Sequence, residues 1–259
     1  YTSYNKLKFY PEFDTVVQSD AIAFFDSSMF GIWESVTRKT FMQPDRSKEV
    51  VMASRVSGLK DRAIPFSPTS FQDLSFYKNW VTLLGQDYVS PIGDNALNKY
   101  SYQLYDTLID GVDTVFSIAF RPKNIRVMGL SGDLKLHSND WTIHTITADL
   151  KLPEDMQFFE STRIEQVHAE VNDSTWFPVQ LYTRIEFDKD EAGLEVEDSL
   201  QKNLDAIGQL FLEVRSDFRE IKLDTSFTRK DFDNITLDVL PEASDRGDAF
   251  FQQYRTDSL

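Results

Sequence analysis

The feature that most constrains the fold is a long alternation of apolar and polar residues from Tyr100 to Phe187. Between 130 and 137, apolar residues alternate with Ser, Asp, Lys and His, which is the period of a half-buried strand. Ser138-Asn139-Asp140 is typical of a turn. The alternation resumes after it, with Ile143 and Ile146 expected on opposite faces. The pattern predicts one contiguous antiparallel sheet with one face exposed to solvent and one buried face, called the dry face below. The predicted dry face includes Phe116, Ile118, Phe120, Leu134, Leu136, Phe177, Val179 and Leu181.

The whole chain is therefore predicted to be mainly β, a curved, half-barrel-like antiparallel sheet with a few short covering helices. We place an antiparallel β domain at 1–187, followed at 188–259 by an acidic loop, a helix-prone stretch and a terminal link. Four stretches are candidates for covering the sheet. They are Ala21 to Phe25, Phe71 to Leu84, Asp94 to Lys99 and Leu200 to Leu212, the last being part of a helical pattern that continues to Val214. The first suits one helical turn or an irregular buried loop, and the second suits strands as well as a helix. A terminal helix is predicted from Ser244 to Tyr254.

The composition excludes several classes of function. The formal net charge of −15 argues against a nucleic-acid partner and against electrostatic docking on anionic lipids, because both need clustered Lys and Arg. No apolar run approaches the roughly 18 residues of a membrane-spanning helix, so we expect this segment to be soluble. The chain has no cysteine, which excludes disulfides and thiolate chemistry. Both ends look like cuts in a longer polypeptide.

An enzymatic site is not predicted. His137 and His144 flank one predicted turn, and His168 lies on a later strand. The alternation of side chains along the predicted strands does not direct all three toward one point, as a metal site would require. The acidic run at 188–198 comes nearest to a calcium loop, but it fails at Ala192, where a ligand is needed, and at Ser199, where the closing Glu should be. No GxSxG, P-loop, HExxH or GxGxxG motif is present. We therefore expect no catalytic residue, no bound metal and no cofactor.

The apolar face of the sheet is the better candidate for function. If the covering segments leave it partly open, it becomes a concave apolar pocket, the usual form of a ligand site. Phe71 to Leu84 carries enough large side chains, Trp80 foremost, to fill this concavity by itself. The residues that would face a ligand are Trp80, Phe116, Ile118, Phe120, Leu134 and Leu136.

Several segments, taken in order, resemble a family of Bacteroidota outer-membrane proteins of unknown function. The segments are YTSYNKLKF, LLGQDYVSPIGDNALNKYSYQL, IAFRPKN, GLSGDLKLHSNDWTIHTITADL and VNDSTWFPVQ. The resemblance implies a signal peptide, a carboxypeptidase-regulatory-like domain before this region, and a C-terminal membrane β-barrel after it. It also implies a location at the periplasmic face of the outer membrane. The middle region is in addition similar to the half-barrels of periplasmic lipoprotein carriers, which hold acyl chains.

Six short triplets resemble the O-glycosylation acceptor pattern of exported Bacteroidota proteins, which is Asp, then Ser or Thr, then an aliphatic residue or Thr. Such triplets also arise by chance in a chain rich in Asp. Thr15, Ser174 and Ser199 fall in predicted loops or turns and are the favoured acceptors. Thr107 and Thr114 rank next.

Two functions from different classes remain open at this stage. The first is a non-enzymatic structural or interaction domain, whose partners would be its own membrane barrel and regulatory-like domain, or another envelope protein. The second is a lipid or lipoprotein-acyl binding domain with a carrier-like apolar cavity. The sequence predicts that Phe71 to Leu84 fills the concave face, which favours the first.

Overall fold

The structure is a computed structural model in which thirteen segments of the chain are described. These are residues 1–13, 31–42, 46–58, 74–83, 85–110, 113–124, 126, 128–151, 159–172, 175–188, 207–223, 226–232 and 236–255. The described elements are dominated by long strands, as the alternation of the sequence predicts. The fold class is confirmed: a large, curved, antiparallel sheet that does not close into a barrel.

Eleven of the described strands form this sheet. They are β1 (Thr2–Phe13), β2 (Gly31–Met42), β3 (Arg46–Gly58), β6 (Tyr100–Asp110), β7 (Asp113–Pro122), β8 (Leu130–His137), β9 (Ile143–Leu150), β10 (Phe159–Asn172), β11 (Thr175–Phe187), β12 (Ile207–Arg219) and β13 (Leu237–Val239). Their order across the sheet is β13-β3-β2-β1-β12-β11-β10-β9-β8-β7-β6. All neighbours pair antiparallel except β3 and β13. The prediction of one contiguous antiparallel sheet from Tyr100 to Phe187 is confirmed.

A small hairpin covers one face of the sheet. It consists of β4 (Trp80–Leu83) and β5 (Gln86–Val89), and a short helix, α1 (Ala96–Lys99), follows it. Side chains from the hairpin and from the segment before it are buried in the main core, namely Leu74, Phe76, Val81, Leu83 and Tyr88. The prediction that Phe71 to Leu84 lies against the sheet is therefore confirmed over 74–83, the part that the structure describes. Of its two predicted forms, helix or strand, the strand is correct for 80–83. Trp80 was expected to be foremost among the side chains that fill the concavity, but it is 56% exposed, because β4 turns Val81 and Leu83 inward instead. The predicted cover at 21–25 lies outside the described residues.

The predicted dry face is buried only in part. Phe120, Leu134 and Leu181 are buried, whereas Phe116, Ile118, Leu136, Phe177 and Val179 are of intermediate exposure. The prediction that Ile143 and Ile146 lie on opposite faces is wrong, because both are fully buried in the same cluster. The register of β8 on β9 shifts between Lys135 and Leu136, so the parity of residues changes there.

The opposite face of the sheet carries a second, smaller core over β1, β2 and β3. A C-terminal helix, α2 (Asp248–Gln252), packs there through the fully buried Phe251. It contacts a patch made of Tyr4, Val36, Met52 and Ala53. The predicted terminal helix thus exists but is shorter than Ser244 to Tyr254, and a 3₁₀ turn (Ala243–Asp245) lies before it.

A charged cluster holds α2 on the sheet. The buried Glu34 carboxylate accepts hydrogen bonds from Tyr4, from Arg55 Nε at 2.7 Å and from Arg255 Nε at 3.0 Å. Burial alone would raise the pKa of Glu34, but the bonds from Arg255, Tyr4 and Arg55 outweigh it and lower the pKa to about 2. Asp248, at the start of α2, pairs with both arginines. The helix is therefore tied to β2 and β3 by ion pairs as well as by packing.

The helix predicted over Leu200 to Val214 is wrong where the structure describes it, since Ile207–Arg219 is a strand. Leu210, Phe211 and Leu212 are all buried, because this strand lies in the middle of the sheet and both of its faces are covered. A strand that is covered on both faces has a continuous run of apolar residues instead of an alternation. The spacing of apolar residues in such a run does not distinguish a strand from a helix. β12 and β13 belong to the predicted segment 188–259 and pair within the same sheet as the strands of 1–187.

Candidate functional site: a cavity at one end of the sheet

A half-open cavity of about 840 Å³ lies where four central strands end. β1 begins there and β2 ends there, since Thr2 pairs with Arg38. β12 ends beside them, since Thr2 also pairs with Arg219, and the start of β11 lies alongside β12. Chain segments from 74–75, 220–223 and Phe227 complete the walls. The volume is in the range of small-molecule sites in proteins.

Aromatic rings form most of the apolar lining. The rings of Tyr1 and Phe177 are 5.7 Å apart between centroids, and those of Tyr1 and Phe218 are 5.2 Å apart. Phe41 and Phe227 also line the cavity and are 55% and 41% exposed. Exposed aromatic side chains around a concave space are unusual unless something covers them. The cavity is thus suited to an apolar ligand.

The cavity joins the main core through one of its walls. Leu74 belongs both to the cavity lining and to the core cluster under the β4–β5 hairpin. Its carbonyl oxygen accepts a hydrogen bond from Gln166 Nε2 at 3.1 Å. Three residues further on, the hydroxyl of Tyr77 accepts a hydrogen bond from the Ile143 N–H at 2.9 Å. These two bonds fix the covering segment on β10 and β9, so the cavity has one firmly held wall.

Charged side chains stand around the apolar lining. Arg38, Lys39 and Lys222 line the cavity, and Glu220 does so as the single carboxylate among the lining residues. Glu220 Oε2 accepts a hydrogen bond from Thr2 Oγ1 at 2.7 Å. Glu220 also has a φ of 50°, which is uncommon for a residue other than glycine and indicates local strain.

None of the six residues predicted to face a ligand lies among the residues that line this cavity. Phe120 and Leu134 are buried in the main core, and Leu136 packs against it. Phe116 stacks on the exposed Trp141, with ring centroids 5.8 Å apart. Trp80 points outward, and Ile118 is of intermediate exposure. A ligand in the cavity would instead contact residues that the sequence did not predict to face a ligand. Phe177 was predicted only as a member of the buried face of the sheet.

Two of the three histidines lie side by side. The rings of His137 and His144, which flank one turn of the sequence, are 5.2 Å apart between centroids. His137 Nδ1 lies 2.7 Å from Asp113 Oδ2, and the ring of Trp176 lies 4.2 Å from that of His137. Among the described residues no hydrogen-bond partner reaches the buried His137 Nε2.

His168 lies at the edge of the same region. Its ring contacts that of Tyr77 edge-on at 5.6 Å. Burial, and to a lesser extent the neighbouring His144, lower the pKa of His168 to about 4. Within the described segments, no group of three or more His, Asp or Glu side chains is arranged to hold a metal ion. The expectations of no metal, no cofactor and no catalytic residue remain predictions.

The favoured glycosylation acceptors, Thr15, Ser174 and Ser199, lie outside the described residues. Of the second-ranked pair, Thr107 is exposed and Thr114 is of intermediate exposure. Modification of these residues remains a prediction.

The described structure defines a class of protein: an open, curved antiparallel sheet with one face covered by a hairpin and a cavity at one end. Within that class, the chain belongs to the DUF5686 family, a family of unknown function whose model matches residues 3–199. No curated protein matches its sequence. The wider parts of the sequence resemblance, namely the source, the regulatory-like domain and the barrel, remain predictions.

Several solved structures match this chain at low similarity. One is a domain assigned to outer-membrane lipoprotein sorting from Vibrio parahaemolyticus, with 8% identity, a TM-score of 0.34, and coverage of 90% of this chain and 89% of that chain. A LolA superfamily protein from Nitrosomonas europaea has 6% identity and a TM-score of 0.27, with 90% of each chain covered. A DUF1329 family protein from Desulfovibrio piger has 10% identity and a TM-score of 0.27, again with 90% of each chain covered. At these values the matches carry no argument about function.

No helix in the described segments is long and apolar enough to cross a membrane.

Proposed function

We propose that this chain is a non-enzymatic domain that binds an acyl chain in the cavity at the end of the sheet. The observation that carries the proposal is the cavity itself: about 840 Å³, walled by five aromatic side chains and continuous with the core through Leu74. Each methylene that a ligand buries there contributes about 0.8 kcal/mol, so a long chain can bind without any polar contact to its tail.

The location that we propose follows the sequence resemblance. It is the periplasmic face of the outer membrane, next to a membrane barrel of the same polypeptide. A domain in that position has access to acyl chains from lipids or lipoproteins. A cavity that is open on one side suits such a ligand, because the tail can enter while the head group stays in water.

A structural or interaction module is the second candidate, and a different observation favours it. β6 is an edge strand of the sheet, and Leu104, Tyr105, Leu108 and Ile109 on it are each at least half exposed. Ile109 reaches 84% exposure. Exposed apolar residues on a free strand edge are typical of a surface that pairs with another chain. In addition, the concave face under the β4–β5 hairpin is filled, as this candidate requires.

Binding of a fluorescent long-chain acyl probe tests the first candidate. We expect the double variant Phe41→Asp and Phe227→Asp to bind the probe at least about tenfold more weakly than the wild type, because two apolar contacts become charged groups beside the chain. Both side chains are substantially exposed, so the variant should fold. Circular dichroism and the thermal midpoint check this.

The matched control is the double variant Leu104→Asp and Leu108→Asp on β6, which makes the same chemical change on exposed residues away from the cavity. It should bind the probe as the wild type does. Wild-type protein that binds no probe, and from which no lipid is extracted after purification from its native host, would contradict acyl binding and leave the interaction module as the better account.

A further inference from the structure

The charges around the cavity have the opposite sign to the charge of the chain. The sequence holds 42 acidic and 27 basic residues, for a net charge of −15. The cavity, by contrast, is lined by three cationic residues and one carboxylate. The carboxylate, Glu220, is engaged by the hydroxyl of Thr2. A cationic surface of this kind in an acidic protein calls for a physical reason.

Two of the three cations are exposed. Arg38 and Lys222 are exposed residues, and in the described part of the chain neither has a salt-bridge partner, although acidic residues outnumber basic ones. Lys39 is buried, and its backbone N–H bonds to the Tyr1 carbonyl oxygen at 2.9 Å. Arg38 and Lys222 are therefore the cations available to a ligand from outside.

Apolar and cationic groups occur together at this one site. Phe41, three residues after Arg38, and Phe227, five after Lys222, line the same cavity as the two exposed cations. A ligand with its tail among the aromatic rings would bring its head group to the cavity opening. An anionic head group there would form charge-assisted hydrogen bonds with Arg38 and Lys222, which are stronger than bonds between neutral groups.

We propose that the cavity selects an amphiphile with an anionic head group, a carboxylate or a phosphate, through Arg38 and Lys222. This inference rests on the proposed acyl binding and adds the chemical class of the head group. It also accounts for the sign of the charge at the cavity. In a chain of net charge −15, long-range attraction to an anionic ligand is absent, so the local cations have to supply it.

The test compares probes that share a chain length and differ in the head group. Palmitate carries a carboxylate, palmitoyl lysophosphatidic acid carries a phosphate, and monopalmitoylglycerol is neutral. Displacement of a fluorescent acyl probe gives the affinity of each. We expect the wild type to prefer at least one anionic probe over the neutral one by about tenfold, and this preference to shrink as salt is added.

The double variant Arg38→Gln and Lys222→Gln should lose most of this preference, because its affinity for the anionic probes should fall much more than its affinity for the neutral probe. The control variant, Arg121→Gln and Lys135→Gln, makes the same change of charge on β7 and β8, away from the cavity, and should keep the preference. The palmitate and lysophosphatidic acid arms show which anion is bound more tightly, and a preference for either supports the inference.

Two outcomes would overturn the inference, and they can be told apart. Equal binding of neutral and anionic probes by the wild type, or a preference that survives in the Arg38→Gln and Lys222→Gln variant, refutes head-group selection and leaves acyl binding intact. Failure of every probe to bind, the neutral one included, refutes the proposed acyl binding and the head-group selection with it.

Discussion

Replacing Gly132 with alanine is expected to lower the free energy of unfolding by about 4 kcal/mol or more, an exceptional loss for a single methyl group. Gly132 lies on β8 opposite Ala148 of β9. A Cβ at this position would lie 1.9 Å from the Thr147 carbonyl oxygen and 2.8 Å from its carbonyl carbon. These are backbone atoms, so relief requires the two strands to separate within the main core.

Urea denaturation followed by circular dichroism measures this effect. The matched control is Ser131→Ala, which changes the neighbouring residue of the same strand and should cost less than about 1 kcal/mol. Because a domain of this kind is stable by only about 5–15 kcal/mol, the Gly132→Ala protein should be partly unfolded or poorly expressed. A Gly132→Ala protein whose midpoint matches that of Ser131→Ala would show that β8 and β9 do not approach as described.

Acidification from pH 7 to pH 4 is expected to remove about 3 kcal/mol of stability through His168 alone. The ordinary pKa of histidine is 6.5, and burial together with His144 lowers the pKa of His168 to about 4. Above pH 6.5 the imidazole is neutral in both the folded and the unfolded chain, so its contribution is fully present. Between pH 6.5 and 4 the unfolded chain binds a proton that the folded chain does not, and stability falls.

The measurement is the free energy of unfolding against pH for the wild type and for His168→Gln. Carboxylates also titrate in acid, but their contribution is common to both proteins and cancels in the difference. The wild type should lose about 3 kcal/mol more than the variant between pH 6.5 and 4, and below pH 4 the two curves should run parallel. Curves that are parallel over the whole range would show that His168 is not held neutral in the fold.

The strands that the sequence predicted well are those with one covered face. β8 and its partners alternate because their side chains face the core on one side only, and period two is then visible in the residues. β12 could not be predicted in this way, since Leu210, Phe211 and Leu212 are buried on both faces. What makes β12 a strand is its position between β1 and β11, which depends on pairing across the whole chain.

The histidines show a second limit of predicting, from alternation alone, on which face of a strand a residue lies. The register of β8 on β9 shifts between Lys135 and Leu136, just before His137. The register of β10 on β11 shifts between Val167 and His168. Each shift places an extra residue in the partner strand, His144 in β9 and Val179 in β11, so the parity changes along that strand, and neither shift leaves a clear mark in the sequence. The hairpin that joins His137 to His144 was the one local signal that these two residues are close.

The cavity had no local signal at all. Tyr1, Phe177 and Phe218 are far apart in the sequence and meet only because β1 pairs with β12, which in turn pairs with β11. The two exposed cations also come from separate parts of the chain, because Arg38 lies in the second half of β2 and Lys222 comes after β12. The concave face that the sequence did indicate is filled by Phe76 and its neighbours in the covering segment.

Photo-crosslinking with a diazirine-bearing fatty acid, followed by peptide mass spectrometry, tests the central claim most directly. If the cavity at the end of the sheet binds an acyl chain, labelled residues should concentrate at 177–178, 218–223 and 227, and an excess of unlabelled palmitate should suppress the labelling. Labelling that concentrates on the exposed edge strand β6, or that excess palmitate does not reduce, would contradict acyl binding in this cavity.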